Sequence, residues 1–153
     1  MLIYRVERNA SILTETGFKT CIGPYDVLHS MTPKYCESLF LLKFDAFRHD
    51  SMSETHTPII LNDQKALEQY GYSYLERVVD SNDYRYGFTG MNQLRNWFTL
   101  RDLSNLYVSH HFITIYDVPD EYCIVGHTQA VCEYVHMNLI DCIYINEYLK
   151  EHE

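Results

Sequence analysis

The sequence predicts an α+β protein, and three observations carry that expectation. Runs rich in β-branched and aromatic residues, such as His111 to Val118 and Thr128 to Val135, have the composition of strands. Apolar residues recur at helical spacing over residues 64–79 and again over 89–107. The two kinds of segment do not alternate regularly, which disfavours a parallel βαβ sheet. A mixed or antiparallel sheet with short helices is expected instead. The chain has 153 residues and no internal repeat, low-complexity tract or Pro/Gly/Ser linker, so residues 1–153 are expected to form one domain. A chain of that length buries roughly 68–70% of its unfolded surface, enough to fold without a metal or a disulfide.

Taken in order, Leu2 to Glu7 is the first expected strand, with Tyr4 and Val6 on one face and Ile3 and Arg5 on the other. Residues 8–33 are loop-rich, with a turn at Gly23-Pro24-Tyr25. Ser38 to Phe44 is apolar but too short to separate buried helix from strand. Residues 45–63, with their acids, histidines and proline, have the character of an exposed loop. Leu67, Tyr70, Tyr74, Leu75 and Val78 then form a helical stripe that is weakened at Gly71.

Beyond Thr89, a short helix is expected with Met91, Leu94, Trp97 and Phe98 on one face. Thr99 and Asp102 have capping-box spacing, followed by the stripe Leu100, Leu103, Leu106 and Tyr107. His111 to Val118 is the next strand, Pro119-Asp120-Glu121 a turn, and Tyr122 to Val125 and Thr128 to Val135 two more strands. Leu139 to Leu149 is ambiguous, with Ile143, Tyr144 and Ile145 favouring β.

Charged residues make up 22% of the chain and hydrophobic ones 46%, which fits a globular protein rather than a disordered one. No apolar run approaches the ~20 residues of a membrane span. The opening Met1 to Glu7 lacks the apolar stretch and cleavage site of a signal peptide. Five widely spaced cysteines point to free thiols in a reducing cytosol. The net charge of −9 is uneven: residues 117–153 hold eight acids and one base, whereas the first 116 residues are nearly balanced. An acidic surface repels phosphate backbones, so direct nucleic-acid binding is not expected. Such a face either keeps the protein solvated or attracts a basic partner.

Residue patterns for known chemistry are sparse. His127, Cys132 and His136 are the tightest metal-ligand group, but no Cys-x-x-Cys or His-Glu-x-x-His pair anchors them, and no metal is expected. His110-His111 sits at an element boundary. None of Cys21, Cys36, Cys123, Cys132 and Cys142 carries a nucleophile signature, and the six glycines form no phosphate-binding loop. Fourteen tyrosines stand out. Five of them (Tyr70, Tyr72, Tyr74, Tyr84, Tyr86) lie within 17 residues, serving either as core aromatics or as a recognition surface.

Two resemblances add to this. Leu2-Ile-Tyr-Arg-Val6 resembles the first strand of ADP-ribosyltransferase folds, where a basic residue contacts NAD. Tyr86-Gly-Phe-Thr-Gly-Met-Asn-Gln-Leu-Arg-Asn-Trp97 is similar to the strand end and short helix that line their nicotinamide pocket. Phe112 to Val118 and Thr128 to Val131 resemble the strands that follow. The likeness implies NAD as cofactor, with Tyr4, Arg5 and Thr89 as its contacts and Arg5, Gln129 and Glu133 as the catalytic set. Gln129 stands where the transferase glutamate would be, and a neutral amide gives an oxocarbenium-like transition state little support. Glu133, four residues on, is the nearest carboxylate. The whole chain also resembles small proteins of bacteriophages and prophages, with Tyr4-Arg-Val-Glu7, Gly23-Pro-Tyr25 and the Gly87-Phe-Thr89 to Trp97-Phe98 segment in common.

The leading expectation is therefore a phage-type accessory, anti-defence protein without a cofactor. It would act in the host cytosol and bind and inhibit a host protein, such as a nucleic-acid-handling defence complex, through an acidic, Tyr-rich surface. The alternative is an ADP-ribosyltransferase or NAD-cleaving enzyme with an atypical site.

Overall fold

The computed structural model describes residues 1–8, 59–81, 83–108 and 111–151. The Gly23-Pro24-Tyr25 turn, the Ser38–Phe44 run, His110, Cys21 and Cys36 lie outside them. The described residues form an α+β structure with two small antiparallel sheets and five helices. One sheet has the order β1 (Leu2–Arg8), β3 (His111–Asp117), β6 (Asn138–Tyr144). The other has the order β2 (Tyr84–Gly87), β5 (Ala130–Glu133), β4 (Cys123–Val125). Two sheets thus stand where the sequence suggested one. The chain divides into two compact units. One draws its described residues from Met1–Arg5, Asp50–Trp97 and Ile115–Asp141, the other from Val6–His49, Phe98–Thr114 and Cys142–Glu153.

In the first unit the helical stripe of residues 64–79 is broken at Gly71. Helix α1 (Gln64–Tyr70) ends there and α2 (Tyr72–Asp80) begins, because Gly71 adopts φ 81°, which a side chain would resist. The same glycine serves both helices: its N–H donates to the Leu67 carbonyl at 2.9 Å, and its carbonyl accepts from the Leu75 N–H at 3.2 Å. Leu75 and Val78 of α2 pack with Ile60, Leu61, Ala66, Ile124 and Val131, the last two contributed by the β4–β5 hairpin. Ile60 and Leu61 lie on a 3-10 turn, Ile59–Asn62. The end of the expected exposed loop 45–63 is therefore core, since an apolar pair that close to a helix start has a hairpin to cover.

The hairpin is a four-residue loop closed by the Gly126 N–H donating to the Gln129 carbonyl at 2.9 Å, with Val125 opposite Ala130. Strand β5 stops at Glu133, and Tyr134–His136 form a 3-10 turn rather than continuing the expected strand to Val135. Strand β2 pairs with β5 from Tyr84 opposite Glu133 to Gly87 opposite Ala130. Just past Gly87, Phe88 bridges Tyr4 of β1 through two main-chain bonds of 2.7 and 2.8 Å. Helix α3 (Met91–Trp97) follows, with Leu94 buried.

In the second unit the capping box is formed as its spacing predicts. The Thr99 hydroxyl accepts from the Asp102 N–H at 3.1 Å, and the Asp102 carboxylate accepts from the Thr99 N–H at 2.9 Å. Helix α4 (Leu100–Val108) buries Leu103 and Leu106 and packs against α5 (Ile145–Glu151). Ile145, expected to favour β, opens that helix and is fully buried. Glu7 is also buried, and its carboxylate accepts from the Thr114 hydroxyl at 2.9 Å.

Candidate functional site

The residues singled out from the sequence fall at three places in the first unit. Tyr4 and Arg5 lie on β1 beside the Phe88 bridge. Arg5 is buried, and its guanidinium donates to the Tyr86 carbonyl. Thr89 follows that bridge, and its N–H donates to the Gln93 side chain at 2.9 Å. The helix-start contact there is thus supplied by Gln93, with Thr89 as backbone donor. Gln129 is buried in the hairpin loop, where its Oε1 accepts from the Ile60 N–H at 3.1 Å. Glu133 sits at the far end of β5, opposite Tyr84 and 4.0 Å from His136. Gln129, the loop residue just before β5, and Glu133, at the strand's far end, are therefore about 13 Å apart at strand rise.

The tightest polar cluster was not anticipated. Asp63 is buried, and one carboxylate oxygen accepts from the His127 and Thr128 N–H groups at 2.7 and 3.4 Å. The other accepts from the Ala66 N–H at 3.3 Å and caps α1. Gln93 holds the same loop from α3, its amide donating to the Gly126 and His127 carbonyls at 3.0 Å each. Two side chains, Asp63 and Gln93, thus pin one hairpin loop by its main chain. Their polar atoms hold backbone, which makes the cluster a positioning device.

His127, Cys132 and His136 are not brought together as ligands. His127 is exposed on the loop, Cys132 is buried on β5, and His136 stacks on Tyr122 with ring centres 3.5 Å apart. Among the described residues no group of three or more His, Cys, Asp or Glu could hold a metal. Cys132 instead faces Cys123 across the hairpin.

The tyrosines separate into two kinds. Tyr86 is largely buried, and its hydroxyl finds no hydrogen-bond partner among the described residues. Burial first, and the Asp80 carboxylate second, push its phenol up to about 12. Tyr70, Tyr72, Tyr74 and Tyr84 lie toward the surface. Tyr70 and Tyr74 stack at 5.4 Å across Gly71, Arg77 lies over the Tyr74 ring, and Tyr72 is 53% exposed. The Tyr84 phenol is raised by desolvation first, then by Tyr74, Glu133 and Asp83 around it. Acids and tyrosines therefore share this surface.

Tyr86 gives a first prediction. A phenol whose folded pKa exceeds its unfolded one contributes stability that is complete below about pH 10 and is lost as pH rises through about 12. Two units correspond to about 2.7 kcal/mol at most. Tyr86→Phe is expected to raise the midpoint of alkaline unfolding. At pH 7 it should change stability by less than ~1 kcal/mol, because no hydrogen bond is lost. Urea unfolding at pH 7 and pH 11 checks both parts; a loss above ~2 kcal/mol at pH 7 would mean the hydroxyl has a partner.

Fold and site together describe a small α+β protein with a pinned hairpin and a surface of acids and tyrosines. The chain belongs to the bacteriophage T4 Y00F protein family, whose model matches residues 1–146. No curated protein and no solved structure matches it. The family match bears out the phage kinship read from the sequence, while the ADP-ribosyltransferase likeness draws no support from the comparisons. No helix among the described residues is long and apolar enough to cross a membrane.

Proposed function

We propose that this chain is a phage accessory protein that binds and inhibits a host protein, such as a nucleic-acid-handling defence complex, in the host cytosol. The observation that carries the reading is the tyrosine surface of α1, α2 and β2. Tyr72 and Tyr74 are exposed, Tyr70 stacks on Tyr74, and Asp83 and Glu133 act on Tyr84. Tyrosine supplies wide contact area at small entropic cost, and the neighbouring acids favour a basic partner surface. In the acidic C-terminal third, Asp117 and Asp120 lie 3.5 and 3.2 Å from the Met1 amine.

The NAD-handling alternative has one observation in its favour, the meeting of Tyr4, Arg5 and Thr89 beside the Phe88 bridge. Against it, Arg5 and Gln129 are both engaged with main chain. Saturable heat on titration with NAD would restore it.

The test is affinity capture from host lysate by the wild-type chain and by Tyr72→Ala/Tyr74→Ala, at low and moderate salt. One host protein is expected to be retained by the wild type and held at least ~30-fold more weakly by the double variant, as for a truncated aromatic hot spot. Retention should weaken as salt rises. If the wild type retains nothing at either salt, or the variant binds equally well, the reading falls.

A further inference from the structure

Cys123 of β4 and Cys132 of β5 are direct partners in the antiparallel register. The Cys132 thiol donates to the Cys123 sulfur at an Sγ–Sγ distance of 3.2 Å, and the Cys123 thiol in turn donates to the Pro119 carbonyl at 3.7 Å. Directly opposed residues of an antiparallel pair have Cα atoms about 4.5–5.5 Å apart. That is inside the range of roughly 4.4–6.8 Å that a disulfide spans. The sulfurs need approach by only about 1.2 Å to reach bonding distance. The hairpin that carries them is already fixed by Asp63 and Gln93, so closure asks for no rearrangement of its loop. The third described cysteine, Cys142, belongs to the other unit.

We propose that Cys123 and Cys132 form a redox-active dithiol that closes to a disulfide on reaction with hydrogen peroxide and is reopened by a thiol reductant. Cys123 is the attacking residue. It is 5% exposed against 0% for Cys132, and an oxidant of two heavy atoms needs little room. The hydrogen bond from Cys132 lowers the Cys123 thiol and raises its own donor, which makes Cys123 the readier of the two to ionise.

The Cys123 thiolate attacks one peroxide oxygen. The O–O bond breaks, and the departing hydroxide takes up a proton to leave as water. Cys123 is then a sulfenic acid. The Cys132 sulfur attacks it, the S–O bond breaks, and the hydroxide leaves as a second water with the Cys132 proton. Two thiols have lost two electrons and two protons, and the peroxide has accepted both to become two waters. Arg5 exerts a favourable field on the Cys132 sulfur as it gives up that proton.

The experiment treats the reduced full-length chain with hydrogen peroxide, alkylates it in denaturant, and reads intact mass and peptide map. The expected result is the loss of two of the five alkylatable thiols, a mass lower than that of the alkylated reduced chain by two alkyl groups, and a peptide joining Cys123 to Cys132. Dithiothreitol should reverse all three. A variant with Cys21, Cys36 and Cys142 replaced by serine keeps both partners of the pair and should give the same link. Cys132→Ser should leave a sulfenic acid on Cys123 that dimedone traps. Full alkylation of both Cys123 and Cys132 after treatment, or a link joining either to a different cysteine, would overturn the proposal.

Discussion

Replacing Asp63 by alanine is expected to lower the unfolding free energy by about 3 kcal/mol. Its two carboxylate oxygens accept from three main-chain donors: Ala66 at the start of α1, and His127 and Thr128 in the hairpin loop. Loss of a helix N-cap costs about 1 kcal/mol, and charge-assisted bonds to a buried carboxylate are worth about 1.5–3 kcal/mol. For a chain of this size that is a fall of roughly 6–12 °C in Tm. Asp63→Asn keeps one carbonyl acceptor and should lose about half as much. The close packing of Gly126 supplies an internal check, because a Cβ there would lie 2.7 Å from the Asp63 Cγ. Gly126→Ala should therefore be costly in the wild type and cheaper in the Asp63→Ala background, where only Ile60 Cδ1, at 3.0 Å, still crowds that Cβ. Urea unfolding of the four proteins measures the coupling. A loss below ~1 kcal/mol for Asp63→Ala, or strict additivity with Gly126→Ala, would mean that the carboxylate does not hold the loop.

That residue also marks where reading the sequence stops working. Signals confined to a few residues were legible: the Thr99–Asp102 box, the weak point at Gly71 (which the fold turns into a full break), the short helix after Thr89, and the β-branched run of β3. Each depends on neighbours within one or two turns of chain. Asp63 sits in a stretch rich in acids and histidines, and its partners His127 and Thr128 come 64 and 65 residues later. No local pattern announces that. Gln129 is similar: as an amide where a resembling family keeps a glutamate, it suggested a disabled catalytic position. In the fold it accepts a main-chain bond from Ile60, 69 residues away. The boundary errors have a different cause. Ile145 has strand propensity, but it begins α5, which α4 covers, and packing overrides propensity there.

The cysteine pair lies between these cases. Cys123 and Cys132 are equidistant from the centre of the Gly126–Gln129 loop, so once a four-residue hairpin is granted, their opposition follows from counting. Cys132 was instead grouped with His127 and His136 by closeness along the chain. In a strand, closeness along the chain is the poorer guide, since neighbours alternate faces while the cross-strand partner stands about 5 Å away.

The same pairing logic governs the approach of β1 to β2, and Gly87→Ala is expected to cost about 2–3 kcal/mol through it. A Cβ on Gly87 would lie 2.5 Å from Ile3 Cγ2, 3.0 Å from the Tyr4 carbonyl oxygen and 3.2 Å from Arg5 Cγ. Ile3 is fully buried and its Cγ2 is attached directly to Cβ, so the methyl cannot swing clear without a rotamer change in a closed core. Main chain has to move, and the Tyr4–Phe88 bridge beside it is what gives way. Overpacking of a closed contact costs about 1–3 kcal/mol. Gly90→Ala is the control, because nothing lies within 4 Å of its Cβ position; it should be neutral or slightly stabilising. Ile3→Leu removes the branched methyl, so Ile3→Leu/Gly87→Ala should regain part of the loss, while the Tyr4 carbonyl contact keeps the rescue incomplete. Equal stability of Gly87→Ala and Gly90→Ala in denaturant would sink the close approach. A destabilised Gly87→Ala that Ile3→Leu does nothing to relieve would assign the cost to the Tyr4 main chain alone.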